Sequence, residues 1–167
     1  MKPSPSQAKW VVGLVAVGVY ANSVPNGFAL DDNWFIALNP VVTEARFSDA
    51  FKKPAWPQAR EGTGNYRPIT LASFIIEWRL WRGSPLPFHV VSILMHAAVS
   101  LLVLALLSRY LALAGALAGA LFFAVHPVHT EAVANVMGRA ELYAAGAYLA
   151  ACLVYLGMTS EKPGMRG

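Results

Sequence analysis

Residues 88–108 form an apolar run about as long as the roughly 20 residues a helix needs to cross a hydrocarbon core. His89 and His96 interrupt it, and Arg109 follows it. Three further apolar runs, at about 8–24, 111–126 and 141–158, repeat the pattern. The composition, 56% hydrophobic against 13% charged residues, exceeds what a soluble domain usually carries. The sequence therefore predicts an all-α membrane protein with about four transmembrane helices and the lipid bilayer as its first partner. The formal charge of +4 is dispersed and forms no basic block, so nucleic acid is not expected as a partner. The single cysteine, Cys152, permits no intrachain disulfide.

The first run follows Lys2 and Lys9 and is followed by Ala21-Asn22-Ser23, so it reads either as a first span or as a cleaved secretory leader leaving Val24 as the new N-terminus. The third run carries Gly115 and Gly119, spaced for close helix approach. If the four runs alternate, Lys2, Lys9, Arg109, Lys162 and Arg166 share one side, which the positive-inside rule makes cytoplasmic. Residues 25–87 and 126–141 then share the outer face.

The outer loop, 25–87, contains charges of both signs and seven prolines and is too polar to span. Within it, residues 43–51 suggest one short helix. Residues 69–81 suggest a better one, with Leu71, Phe74, Ile75, Trp78 and Trp81 at helical spacing and Glu77, Arg79 and Arg82 towards the other side. That pattern fits an interfacial helix with tryptophans at headgroup depth, or a helix packed on the loop itself.

Two polar features stand out on the outer face. Asp31 and Asp32 directly follow the first run and end an outer stretch that begins at Pro25. One acid could cap a helix starting at Asn33 or Trp34, which leaves the second without a task. Adjacent hard oxygen ligands would also suit Mg or Mn. In the second feature, a helix starting near Pro127 would put Glu131, Asn135 and Arg139 at i, i+4 and i+8, as one polar stripe. Such a stripe either packs internally or faces a cavity. His126, His129 and Glu131 could supply three metal ligands, though their spacing matches no standard zinc pattern.

Several of these residues carry a resemblance. The stretch 25–39 around the Asp pair, Tyr66-Arg67-Pro68 with Leu71 and Ser73-Phe74, Pro87-Phe88-His89, and His126-Pro127-Val128-His129-Thr130-Glu131-Ala132-Val133 with Gly138-Arg139-Ala140-Glu141 resemble the transmembrane and tetratricopeptide-repeat O-mannosyltransferases and their bacterial relatives. The resemblance implies a partial C-type glycosyltransferase fold, with residues 1–167 as a single partial membrane domain. It implies a polyprenyl-phosphate sugar donor and a protein or glycan acceptor at the outer face. Asp31 and Asp32 would be the catalytic acids or would hold a metal. Tyr66, Arg67, His126, His129, Glu131, Asn135, Arg139 and Glu141 would bind substrate, with the two arginines on the lipid phosphate. A bacterial inner membrane with a periplasmic loop and cytoplasmic termini would be the setting. Such enzymes have more spans and a repeat domain, so this chain is expected to be a fragment that is inactive alone. A non-catalytic membrane scaffold is the competing reading.

Overall fold

The computed structural model describes residues 4–56 and 65–160, and these are helical with no strand among them. The labelled helices are α1 (Pro5–Tyr20), α2 (Pro40–Thr43), α3 (Pro68–Trp81), α4 (Pro85–Leu107), α5 (Leu113–Val125), α6 (Thr130–Val133) and α7 (Arg139–Ser160). Short turns of tighter or wider winding join them.

α1 begins with a capping box. The Ser4 hydroxyl accepts from the Gln7 amide, the Gln7 side chain accepts from the Ser4 amide, and Pro5 supplies a preset first turn. Its buried residues, Ala8, Val12, Ala16 and Tyr20, recur every four positions and make one stripe against α4 and α5. The facing stripe on α5 is Ala116, Ala120 and Ala124. Small side chains let the three backbones approach closely, so dispersion contacts hold them together. The expected glycine face is displaced by one position, since Gly115 is exposed and a side chain at Gly119 would meet only the flexible tip of Leu107.

Among the described residues two helices are long and apolar enough to cross a membrane: Pro85–Leu107, and α7 with its lead-in, Val136–Met158. A third span results if Leu113–Val125 and Pro127–Val133, bent by 45°, count as one. Against an expectation of about four spans, two to three candidates stand among the described residues. α1 has 16 residues, about 24 Å at 1.5 Å per residue, short of a full hydrocarbon core.

Contacts fix which ends lie together. Tyr20 at the end of α1, the start of α4, the end of α5 and the start of α7 meet at one end, with residues 21–56, 65–84 and 126–138 gathered there. Pro5, Ser108 and Leu113 meet at the opposite end. The shared sidedness of the two polar segments follows directly from this helix order.

The outer loop has its own core. Phe35, Ile36, Val41, Val42, Leu71, Phe74 and Ile75 pack with Phe88 from α4 and Val136 from the lead-in to α7. Asn39 is buried and pins the loop through three bonds, accepting from the Val41 amide (3.0 Å) and donating to the carbonyls of Phe35 (3.1 Å) and Ala55 (3.2 Å). α3 packs on this core. Glu77 is buried and Trp81 exposed, the reverse of the pattern expected from spacing. The single helix expected over 43–51 is two pieces, Pro40–Thr43 and Phe47–Phe51, parted at Ala45 in left-handed backbone (φ 54°).

Candidate functional site

The Asp pair follows a strained residue. Leu30 has a φ of 47°, a conformation that costs a non-glycine residue about 1–2 kcal/mol, and its side chain is 83% exposed. Such strain persists where the surroundings enforce it, and it concentrates at functional sites. The turn after the pair is wide, with Leu38 donating to the Asn33 carbonyl five residues back at 2.8 Å.

The two acids have different environments. Asp31 is half-buried, and its carboxylate has no hydrogen bond or ion pair among the described residues. Asp32 is 1% exposed and accepts from two backbone amides more than a hundred residues away, Met137 at 2.7 Å and Val136 at 3.3 Å. It makes no capping bond to its own helix, so the expected local cap is replaced by a remote one. Burial pushes the Asp32 carboxyl above the usual carboxylate range, against the opposing pull of those amides and of nearby His89.

The segment receiving Asp32 is not one helix. His126 is extended, and its Nδ1 accepts from the Val128 amide, starting the turn Pro127–His129. After α6 the chain extends at Asn135, whose Oδ1 accepts from the Met137 amide at 3.2 Å to start the turn Val136–Gly138. Asparagine offers the backbone this alternative to a continuing helix, so the expected stripe of Glu131, Asn135 and Arg139 is broken. Glu131 is exposed, Asn135 caps, and Arg139 is buried. A Cβ at Gly138 would lie 1.9 Å from the Glu131 carbonyl oxygen, so only glycine lets this turn fold back on α6.

Arg139 is fully buried, with its donors committed. It forms a fork-to-fork pair with Glu77 and donates to Ser92 Oγ (3.2 Å), to Ser73 Oγ (3.5 Å) and to the Phe88 carbonyl (2.7 Å), with the Phe74 ring 5.0 Å from its guanidinium. This corrects the expectation that Arg139 reaches a phosphate, because no N–H group is left to offer one. It ties α3, α4 and α7 together beneath the Asp32 latch. Burial pushes the Glu77 carboxyl up, while Arg139 opposes the shift. Glu77 and Ser92 escaped sequence reasoning because their partner lies 47 or more residues away.

The remaining expected residues are scattered. The His129 ring sits 4.3 Å from Phe123 and 5.3 Å from His96, and His126 is 6.2 Å from His129. This aromatic knot closes the bundle end with Tyr20, whose hydroxyl donates to the His126 carbonyl. No hydrogen bond or ring contact among the described residues joins it to Asp31 or Asp32. Tyr66 donates to the Phe51 carbonyl at 3.0 Å. Arg67 precedes α3, half-buried, and its side chain makes no hydrogen bond or ion pair among the described residues. Glu141 is exposed in the first turn of α7, where a carboxylate complements the helix dipole. His89, which interrupts the apolar run 88–108 in the sequence, is buried with both ring nitrogens unpartnered among the described residues, and His96 Nδ1 is likewise unpartnered. Buried polar atoms of this kind ask for an explanation.

Among the described residues no three His, Cys, Asp or Glu side chains group as a metal site requires. Asp32 has both oxygens engaged by amides, so the Asp pair offers Mg or Mn one free carboxylate. Mg is commonly held by one or two carboxylates together with a substrate phosphate, so Asp31 is the residue that would hold it, and no step below uses the ion.

The chain is 36% identical over 170 residues to the human protein O-mannosyl-transferase TMTC4, covering 90% of this chain and 23% of that protein. It is 37% identical over 147 residues to protein O-mannosyl-transferase Tmtc1 of Drosophila melanogaster and 35% identical over 149 residues to human TMTC3, covering 84% and 87% of this chain. The chain is a relative of the TMTC protein O-mannosyl-transferases. It spans about a quarter or less of the length of these three TMTC relatives. No protein-family model matches it, and no solved structure does.

Proposed function

We propose that this chain is the acid-bearing membrane module of a protein O-mannosyl-transferase of the TMTC kind, moving mannose from a polyprenyl-phosphate donor to an acceptor hydroxyl at the outer face. The observation that carries the reading is the division of labour in the Asp pair. Asp32 latches the first loop to the segment before α7, and this holds Asp31 beside it with a free carboxylate. Asp31 would take the proton of the acceptor hydroxyl as its oxygen attacks the anomeric carbon. The bond from that carbon to the phosphate oxygen breaks, and the lipid phosphate leaves with the negative charge. Arg67, with no side-chain partner among the described residues, is the forked donor suited to receive that charge. Lys9 and Arg109 at the opposite end of the bundle favour a non-cytoplasmic outer face.

The test is mannosyl transfer by the full-length membrane protein carrying Asp31→Asn or Asp32→Asn. Asp31→Asn is expected to lower transfer about 10²–10⁴-fold without lowering the melting temperature, whereas Asp32→Asn should lower both. Wild-type transfer by Asp31→Asn would overturn the assignment. It would favour the scaffold reading, which gains some support from the use of Arg139 and Asp32 in packing.

A further inference from the structure

We infer that the groove between α1 and α4, far from the Asp pair, is a binding site for an acyl chain of an anionic phospholipid whose headgroup lies at Lys9. The groove has a volume of about 450 Å³ and is walled by Gly13, Leu14, Val17, Ala97 and Leu101, with Ser6 and Lys9 at one end. That size is ordinary for a small-ligand site, and the walls offer an apolar chain contacts without any polar group to satisfy. Gly13 keeps it open, since a Cβ placed there meets nothing within 4 Å. Past Lys9 and Leu101 the depression continues into a second one of about 180 Å³, bounded by Pro5, Leu104 and Ser108.

Charge identifies the headgroup. Lys9 and Arg109 are exposed at this end, and neither forms an ion pair among the described residues. No Asp or Glu occurs in α1, α4, α5 or residues 108–112, so the cations there have no protein counter-ion on those elements. Trp10 and Tyr110 are 70% and 68% exposed beside them, the residue types that settle at headgroup depth. A basic and aromatic rim above an apolar groove matches a lipid with a negative headgroup.

The test is native mass spectrometry of the chain released from nanodiscs of phosphatidylcholine with and without phosphatidylglycerol. The wild type is expected to retain phosphatidylglycerol in preference to phosphatidylcholine, by roughly fivefold for each basic residue at the headgroup. Gly13→Leu should fill the groove and lose the bound lipid while melting no lower than wild type. Lys9→Gln should keep a bound lipid but lose most of the preference. Equal retention of the two lipids by wild type, or an unchanged adduct on Gly13→Leu, would overturn the inference. So would a photo-crosslinking residue at position 13 that captures protein instead of lipid. None of these outcomes depends on transferase activity, so the site stands or falls apart from the proposed function.

Discussion

Arg139 and Glu77 show how one pair can decide what a charged residue is free to do. A guanidinium taken into a protein interior loses several kcal/mol of hydration, and only a full set of acceptors makes up for that. Glu77, Ser73, Ser92 and the Phe88 carbonyl supply the set. Removing one partner leaves the other buried and uncompensated, so Arg139→Ala or Glu77→Ala is expected to cost about 3–5 kcal/mol. Replacing both together with apolar residues of similar size, Arg139→Met with Glu77→Leu, should recover most of that loss. Thermal unfolding in detergent of the two single variants and the double variant measures it. Simple additivity would mean that the two residues do not act as a pair. Asp31 contrasts with Arg139 in having no partner among the described residues. The residue without a structural task is the one to test for chemistry.

At the scale of elements, the stretch from α6 to α7 is the least tolerant part of the fold. Gly138→Ala would drive a methyl group into the Glu131 carbonyl and the Ala132 backbone, neither of which can swing aside. The expected loss is about 3 kcal/mol, accompanied by faster amide exchange at Val136 and Met137, the two donors to Asp32. Gly18→Ala in α1 is the paired control, because its new methyl meets nothing within 4 Å. It should be neutral or stabilising by up to about 1 kcal/mol through helix propensity. Equal effects of the two substitutions would show that the turn is not held by close approach. This region was also where periodicity misled. An apolar sequence starting after Pro127 reads as one helix, but Asn135 captures the Met137 amide and Gly138 folds the turn back on α6. Spacing records local preference and is blind to a carboxylate such as Asp32 arriving from the other end of the sequence.

For the whole molecule, the apolar runs made the helical bundle legible, and their order gave the shared end for the two polar segments. The core of the outer loop was hidden because Phe35, Val42, Phe74 and Ile75 sit on short separate helices whose contacts are made in space. In the candidate site the Asp pair was legible and its asymmetry was not, since only the fold brings Met137 to Asp32. That latch joins the loop core to the bundle, so its titration should reach global stability. Burial raises the folded-state value of Asp32 above the roughly 3.9 of an unfolded chain. The folded state therefore binds the proton more tightly, and the contribution is full below the unfolded value and is lost as pH rises through the folded one. Asp32→Asn removes this titration, so the stability difference between wild type and variant should move against wild type as pH climbs from about 4 towards neutrality. Unfolding midpoints of both proteins across that range measure the trend, and a flat difference would show that Asp32 keeps an ordinary carboxylate. The latch thus contributes less as pH rises, while its two amide bonds still tie the first loop to the segment before α7.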